Sequence, residues 1–539
     1  MRLAALLPAL LVVTGLAAVP SVGAPAAAVG AAASGSTIAW APCTDAWLRN
    51  RELECGSLAV PLDPAAPDGT KIQLALTRRV HTSSAEDYRG VVLTNPGGPG
   101  GSGLLLPAIG ERIPDGVGET YDWIGLDPRG VGSSTPSLHC NSDYFGTDRP
   151  SYTPRTKAIR RYWLRKNRAY SAACANTAAK RSLLAHMTTM DTVQDMDAVR
   201  AALGAEKLNF YGFSYGTYLG QVYATRYPSR VGRFVLDGVI DPQRTWYAVG
   251  LDQDRGFDAN LNTFWKYLAA HPGTFRLGGK WTAIRRGYYR KLAQLDRRPA
   301  AGGKLGPSEL ADAMVEVGYY VYGWAEYGFD YSQLIRKNRG GAMFAHYRDS
   351  AMGDDNNFAV YNAVQCTDAP WPGTRRTLRD STKLNRTDPF LTWNNTWYNA
   401  PCLSWKSAEH ARPAVSGASV DAKLLLINET RDASTPYSGA VTARRLFPSA
   451  SLVAGIGGTT HASSLSGVAC VDQTIADYLR TGFVPKRVDG DGPDRSCPAV
   501  QPPSLSGRAS SRSARTMDGG DRMSPLLRQV LIRAQRWGR

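Results

Sequence analysis

Ser214 stands inside YGFSYGTY (211–218), a Gly-x-Ser-x-Gly setting between two kinds of structure. Before it, KLNFYGF (207–213) reads as a short apolar, aromatic-rich strand. After it, TYLGQVYATRYP (217–228) carries apolar residues at helical spacing and closes on a proline. Gly212 and Gly216 leave room for a strand to turn sharply into a helix, holding a strained serine with its hydroxyl exposed. Serine is a poor nucleophile at its own pKa, so an imidazole must take its proton as it attacks. A carboxylate must then fix the tautomer of that imidazole, and backbone N–H groups must hold the oxyanion.

The strand-to-helix serine turn resembles that of the α/β-hydrolases, and the resemblance implies an acid and a histidine later in the chain, each on a loop after a further strand. His81, His139 and His186 precede Ser214. His271 and His346 fall in a middle region that reads as an insertion, and His410 precedes the next convincing strand. His461 remains, in GGTTHASS (457–464) after the short strand SLVAGI (451–456). The acid is Asp432, on the loop TRDASTPY that follows the buried-type run KLLLINE (423–429). Glu429 is the nearest rival but sits where that strand ends. VVLTNPGGPGGSG (91–103) runs a β-branched strand into five glycines whose N–H groups can approach a substrate closely. One oxyanion donor is assigned to Gly97 or Gly98 and the other to Tyr215, the residue after the nucleophile. Neither G-x-x-x-x-G-K-[ST] nor a helix-opening G-x-G-x-x-G occurs there, which argues against a phosphate cradle.

The elements that must position these groups form an α/β pattern. KIQLALTRR, VVLTN, YDWIGL, KLNFYGF and RFVLDGV alternate with helical stretches over 41–242, as in a mostly parallel sheet with helices on both faces. From 243 to 400 the alternation stops and aromatic-rich helical segments replace it, among them FDANLNTFWKYLAAH and SELADAMVEVGYYVYGWAEYGF. This stretch is expected to be a helical cap inserted into the sheet domain. Residues 401–498 return to the core and carry the acid and the histidine, and 499–539 are expected to be a disordered basic tail.

NPGGPGGSG, WIGLDPRGVGSS (123–134), TTMDTVQDMDAVRAALG (188–204), YGFSYGTYLGQVYATRYPSRVGRFVLDGVIDP (211–242), and RDASTPY with His461 together resemble the secreted actinobacterial tripeptidyl aminopeptidases. These are relatives of the proline iminopeptidases, and the likeness covers most of 41–498. It implies the α/β-hydrolase fold and a serine peptidase that cuts near a free amino terminus and releases a short N-terminal piece. Ser214, Asp432 and His461 take the triad roles by that resemblance, and the GGPG loop the oxyanion hole. The chain departs from the family's usual Gly-His-Gly turn by having Thr460, His461 and Ala462. An aminopeptidase also needs an acceptor for the substrate ammonium, because a buried unpaired charge is costly. Glu316, Glu326 and Asp368 are the candidates. A carboxylesterase on the same triad is the alternative.

Residues 1–24 combine a cationic start, an apolar run and small residues at 22–24, the pattern of a signal peptide; 25–40 then form a flexible or propeptide segment. Eight cysteines in an exported chain imply disulfides. Proximity along the chain suggests Cys43–Cys55, Cys140–Cys174, Cys366–Cys402 and Cys470–Cys497. There is no C-x-x-C or H-E-x-x-H, so no metal and no cofactor is expected. The net charge of +17 gathers partly in the final stretch and in RTKAIRRYWLRKNR (155–168). Neither carries a nucleic-acid module, so no nucleic-acid partner is expected. Apart from the signal, no window is long and apolar enough to span a bilayer. The expected location is extracellular, and the expected partner a peptide with a free amino terminus.

Overall fold

The computed structural model describes residues 37–505, apart from 245, 353, 354, 408 and 409. The expected signal peptide, most of the 25–40 segment and the tail beyond 505 lie outside the described residues.

Ten strands form one sheet: β1 (Ala41–Pro42), β2 (Glu54–Pro61), β3 (Lys71–Arg79), β4 (Val91–Asn95), β5 (Asp122–Asp127), β6 (Leu208–Phe213), β7 (Val231–Asp237), β8 (Leu424–Glu429), β9 (Ala450–Ile456) and β10 (Arg495–Pro498). Their order is β1-β2-β3-β5-β4-β6-β7-β8-β9-β10. The β1/β2, β2/β3 and β3/β5 pairs are antiparallel and the remainder parallel. The residue pattern follows from this. All six residues of β6 and of β8 are buried, as unbroken apolar runs covered on both faces should be, whereas β3 alternates exposed and buried positions along its first residues.

Side chains alternate between two cores because successive residues of a strand point to opposite faces. Leu93, Phe210, Leu236, Leu424 and Leu452 pack on one side. Val92, Tyr211, Val235, Leu425 and Val453 pack on the other. The helix Thr189–Ala202 starts at a reciprocal cap, with Thr188 Oγ1 accepting from Asp191 N and the Asp191 carboxylate accepting from Thr188 N.

Between β7 and β8 the chain is helical, from Tyr247–Ala270 through Thr392–Tyr398. Phe264, Trp265, Tyr288, Met314, Trp324 and Tyr331 build a separate apolar cluster there. SELADAMVEVGYYVYGWAEYGF is two helices, not one. Tyr320 is extended at φ −137° and ψ 132°, separating Pro307–Tyr319 from a 3-10 turn and then Trp324–Lys337. All eight cysteines are paired, as Cys43–Cys55, Cys140–Cys174, Cys366–Cys402 and Cys470–Cys497. The first residues of the expected tail pack against the protein: Val500 is buried and Tyr267 Oη donates to the Pro503 carbonyl.

Candidate active site

Ser214, Asp432 and His461 follow β6, β8 and β9, so all three stand at the C-terminal ends of parallel strands, where open α/β sheets bind ligands. Ser214 has φ 54° and ψ −122°, a conformation that costs a non-glycine residue about 1–3 kcal/mol. It is held there because its N–H donates to Asp237 O at 2.9 Å and its carbonyl accepts from Thr217 N at 2.8 Å. The helix Tyr215–Arg226 begins at the next residue, so the free N–H groups and positive dipole end of its first turn face the serine. The flanking glycines are needed for close approach. A Cβ on Gly212 would meet Gly216 O at 2.7 Å, and one on Gly216 would meet Asn95 O at 2.9 Å.

Asp432 Oδ2 lies 2.8 Å from His461 Nδ1, and both side chains are buried. Its carboxylate also accepts from Ser434 N at 2.8 Å, Thr435 N at 3.0 Å and Thr435 Oγ1 at 2.7 Å. An acceptor-only carboxylate places the proton on Nδ1 and leaves Nε2 free to accept. Burial pulls the His461 pKa down, but the charge of Asp432 and its hydrogen bond outweigh burial and leave it above the usual histidine value. The histidine loop is also gripped by the helical layer: His461 N donates to Tyr319 O at 2.9 Å, and Asn260 Nδ2 donates to both Gly318 O and Thr459 O.

The glycine loop reaches the serine because β4 is the neighbour of β6, with Asn95 paired to Gly212. Gly97 packs directly on the turn, yet its N–H is taken by Asn95 Oδ1 at 2.9 Å. Gly98 lines the cavity beside Ser214 and Tyr215. Of the two glycines considered, Gly98 is the one that lines the cavity, together with Tyr215.

Ser214, His461, Gly98 and Tyr215 open into a cavity of about 280 Å³, to which the helix Pro307–Tyr319 contributes Asp312 and Glu316. Of the three acids considered for the substrate ammonium, only Glu316 lines this cavity; Tyr327 Oη donates to its Oε2 at 3.2 Å. Glu326 is exposed on the opposite face of its helix from buried Trp324, Tyr327 and Tyr331. With Asp330 and His346 it forms a group whose ligand-type atoms lie within 4.8 Å of one another, and none of the three lines the cavity. Asp368 ends the helix Asp355–Asp368 and is buried, accepting from Thr189 N at 2.7 Å and Thr189 Oγ1 at 2.5 Å. Burial pushes its pKa up to about 7. Thr189 Oγ1 in turn contacts Tyr215 Oη at 2.8 Å, so Asp368 is linked through Thr189 to the residue after Ser214. Asp312 was not anticipated; it lies one turn before Glu316 and is paired with the buried Arg149 at 2.7 Å. Gln253, Asn394 and Asn395 also line the cavity, the amide of Asn395 being engaged by Gly250 O, Asp254 and Asn399.

A family model for the alpha/beta hydrolase fold matches residues 90–467. A tripeptidyl aminopeptidase of Streptomyces coelicolor is 35% identical over 473 residues, covering 85% of this chain and 86% of that protein. Serine protease Hip1 of Mycobacterium tuberculosis is 31% identical over 482 residues, covering 84% of this chain and 90% of that protein. Carboxylesterase B of the same species is 29% identical over 457 residues, covering 81% of this chain and 85% of that protein.

Proposed function

The chain belongs to the α/β-hydrolase family as a serine hydrolase, and we propose that it is a secreted exopeptidase releasing tripeptides from free amino termini. Ser214 Oγ attacks the scissile carbonyl carbon while His461 Nε2 takes its proton. The N–H groups of Gly98 and Tyr215 hold the oxyanion. His461 then protonates the leaving amine, and water releases the peptide from the acyl-enzyme by the reverse roles. Asp432 keeps the imidazole oriented and stabilises its charged form.

The observation that carries the peptidase reading over the esterase reading is Glu316, a carboxylate in the same cavity as Ser214 and His461. An ester needs no such acid, whereas a desolvated ammonium does. Secretion rests on the pattern of residues 1–24 and on the four disulfides. The test is fluorophore release from free and N-acetylated mono-, di- and tripeptide amides and a short-chain ester, with the wild type and Ser214→Ala. Turnover of the free tripeptide amide alone, lost in the variant, is the expected result. Ester turnover indifferent to the amine would overturn the exopeptidase assignment.

A further inference from the structure

The acid loop and the histidine loop are laced together by backbone. Thr430 N donates to Gly455 O at 3.0 Å, Arg431 N to Gly458 O at 2.9 Å, and Gly457 N to Thr430 Oγ1 at 2.8 Å. Glu429, the last residue of β8, lies beneath this lacing and is buried. Its Oε2 accepts from Thr460 N, the residue before His461, and its Oε1 accepts from Val500 N at 2.8 Å. Its carboxyl fills a niche left by Gly458, where a Cβ would overlap it.

The segment that supplies Val500 is anchored at both ends. Upstream, β10 pairs with β9, and Cys497 is bonded to Cys470 of the helix Ala469–Thr481. Downstream, Pro503 O accepts from Tyr267 in the helical layer, and Val500 and Leu505 join the apolar cluster of that layer. The segment thus crosses from the sheet edge to the cap, and Glu429 is where it meets the catalytic loops.

We propose that Glu429 is a positioning residue that ties the histidine loop to residues 499–505, making that segment a strap on which turnover depends. This rests on the reading of Ser214, Asp432 and His461 as the catalytic triad. Carboxyl oxygens suit the task because one rigid group accepts from two N–H donors on different segments. Burial pushes Glu429 up to about 8, against the two N–H groups that favour its charged form. Ala at this position leaves two buried N–H groups without a partner, whereas Gln keeps one acceptor.

The experiment measures kcat per active site, titrated with a serine-reactive phosphonate, in Glu429→Ala, Glu429→Gln and chains ending at 498 or 505. Because a small misplacement of a catalytic group is costly, Glu429→Ala and the 498 chain should each lose about tenfold or more in kcat relative to the wild type and the 505 chain, with KM little changed. Glu429→Gln should lose less. Combining Glu429→Ala with the 498 truncation should lose no more than either alone, because both cut the same link. Should the 498 chain fail to fold, Val500→Pro in the full chain removes the donor and replaces the truncation. Normal kcat per titrated site in Glu429→Ala, or equal rates for the 498 and 505 chains, would overturn the proposal. Turnover that survives Ser214→Ala would instead overturn the triad reading beneath it.

Discussion

Replacing Gly97 with alanine tests whether the glycine loop is fitted to the serine turn. Gly97 has φ +92°, and a Cβ there would lie 2.5 Å from Phe213 O, 2.8 Å from Ser214 Cβ and 3.0 Å from Tyr215 N. All three atoms belong to the turn that carries the nucleophile, two of them to its backbone, so no rotamer change relieves the overlap. The left-handed backbone costs an L residue about 1–2 kcal/mol, and overpacking adds about 1–3 kcal/mol. Ser214 is itself held in a strained conformation, so relief comes by moving the loop and with it Gly98. Losing one oxyanion donor lowers kcat by roughly 10²–10³. Gly302→Ala is the control: its φ is +67° but no atom lies within 4 Å, so it carries only the conformational cost. Thermal unfolding and kcat per phosphonate-titrated site, compared across the two variants, decide the matter. Near-normal kcat in Gly97→Ala, with the stability loss of Gly302→Ala alone, would refute the reasoning.

Asp432→Asn should lower kcat by about 10⁴, since the imidazole loses the partner that fixes its tautomer. On the proposed triad the base is the neutral imidazole, so the wild-type rate should rise with pH through a point above the ordinary histidine value. Without the carboxylate, burial dominates, and the acid limb of the kcat/KM profile should move to lower pH. Glu316→Gln should raise KM for free-amine peptides by about ten- to a hundredfold, the worth of a charged hydrogen bond, and leave the ester unaffected. Arg129→Ala strands Asp195, its buried partner at 2.8 Å, and should cost about 3–5 kcal/mol in urea unfolding. Much of that should return in Arg129→Met combined with Asp195→Leu.

Ser214 was legible because its signal is local: an apolar strand, two glycines and a helix lie within eight residues of it. His461 and Asp432 were legible by chain order, since in an α/β-hydrolase the acid and the histidine follow the serine on loops after later strands, here β8 and β9. The cap was harder because a helix alone does not say which face meets the cavity. Glu309, Asp312 and Glu316 are spaced three and four apart on an otherwise apolar helix, and that stripe was the available signal for Asp312. Glu309 and Asp312 are both engaged by Arg149. Glu326 was drawn in by its aromatic neighbours, but those rings turn inward and carry the acid to the outside. Asp368 answers to Thr189, a partner 179 residues away that no local pattern reveals. That the Gly97 N–H is occupied by a side chain, Asn95, was likewise beyond the motif. Strands β1, β2 and β10 were missed: all three end in proline, and β1 and β10 are only 2 and 4 residues long.

The bond from His461 N to Tyr319 O joins the base to its own roof. A roof that swung aside at each turnover would drag the imidazole off station; under the proposed function substrate would instead enter through a standing aperture. What threads such an aperture is a frayed, pliable end; a chain whose terminus is packed into its own fold offers nothing to insert. The enzyme would then sort its surroundings by looseness, consuming partly digested chains while intact neighbours pass untouched.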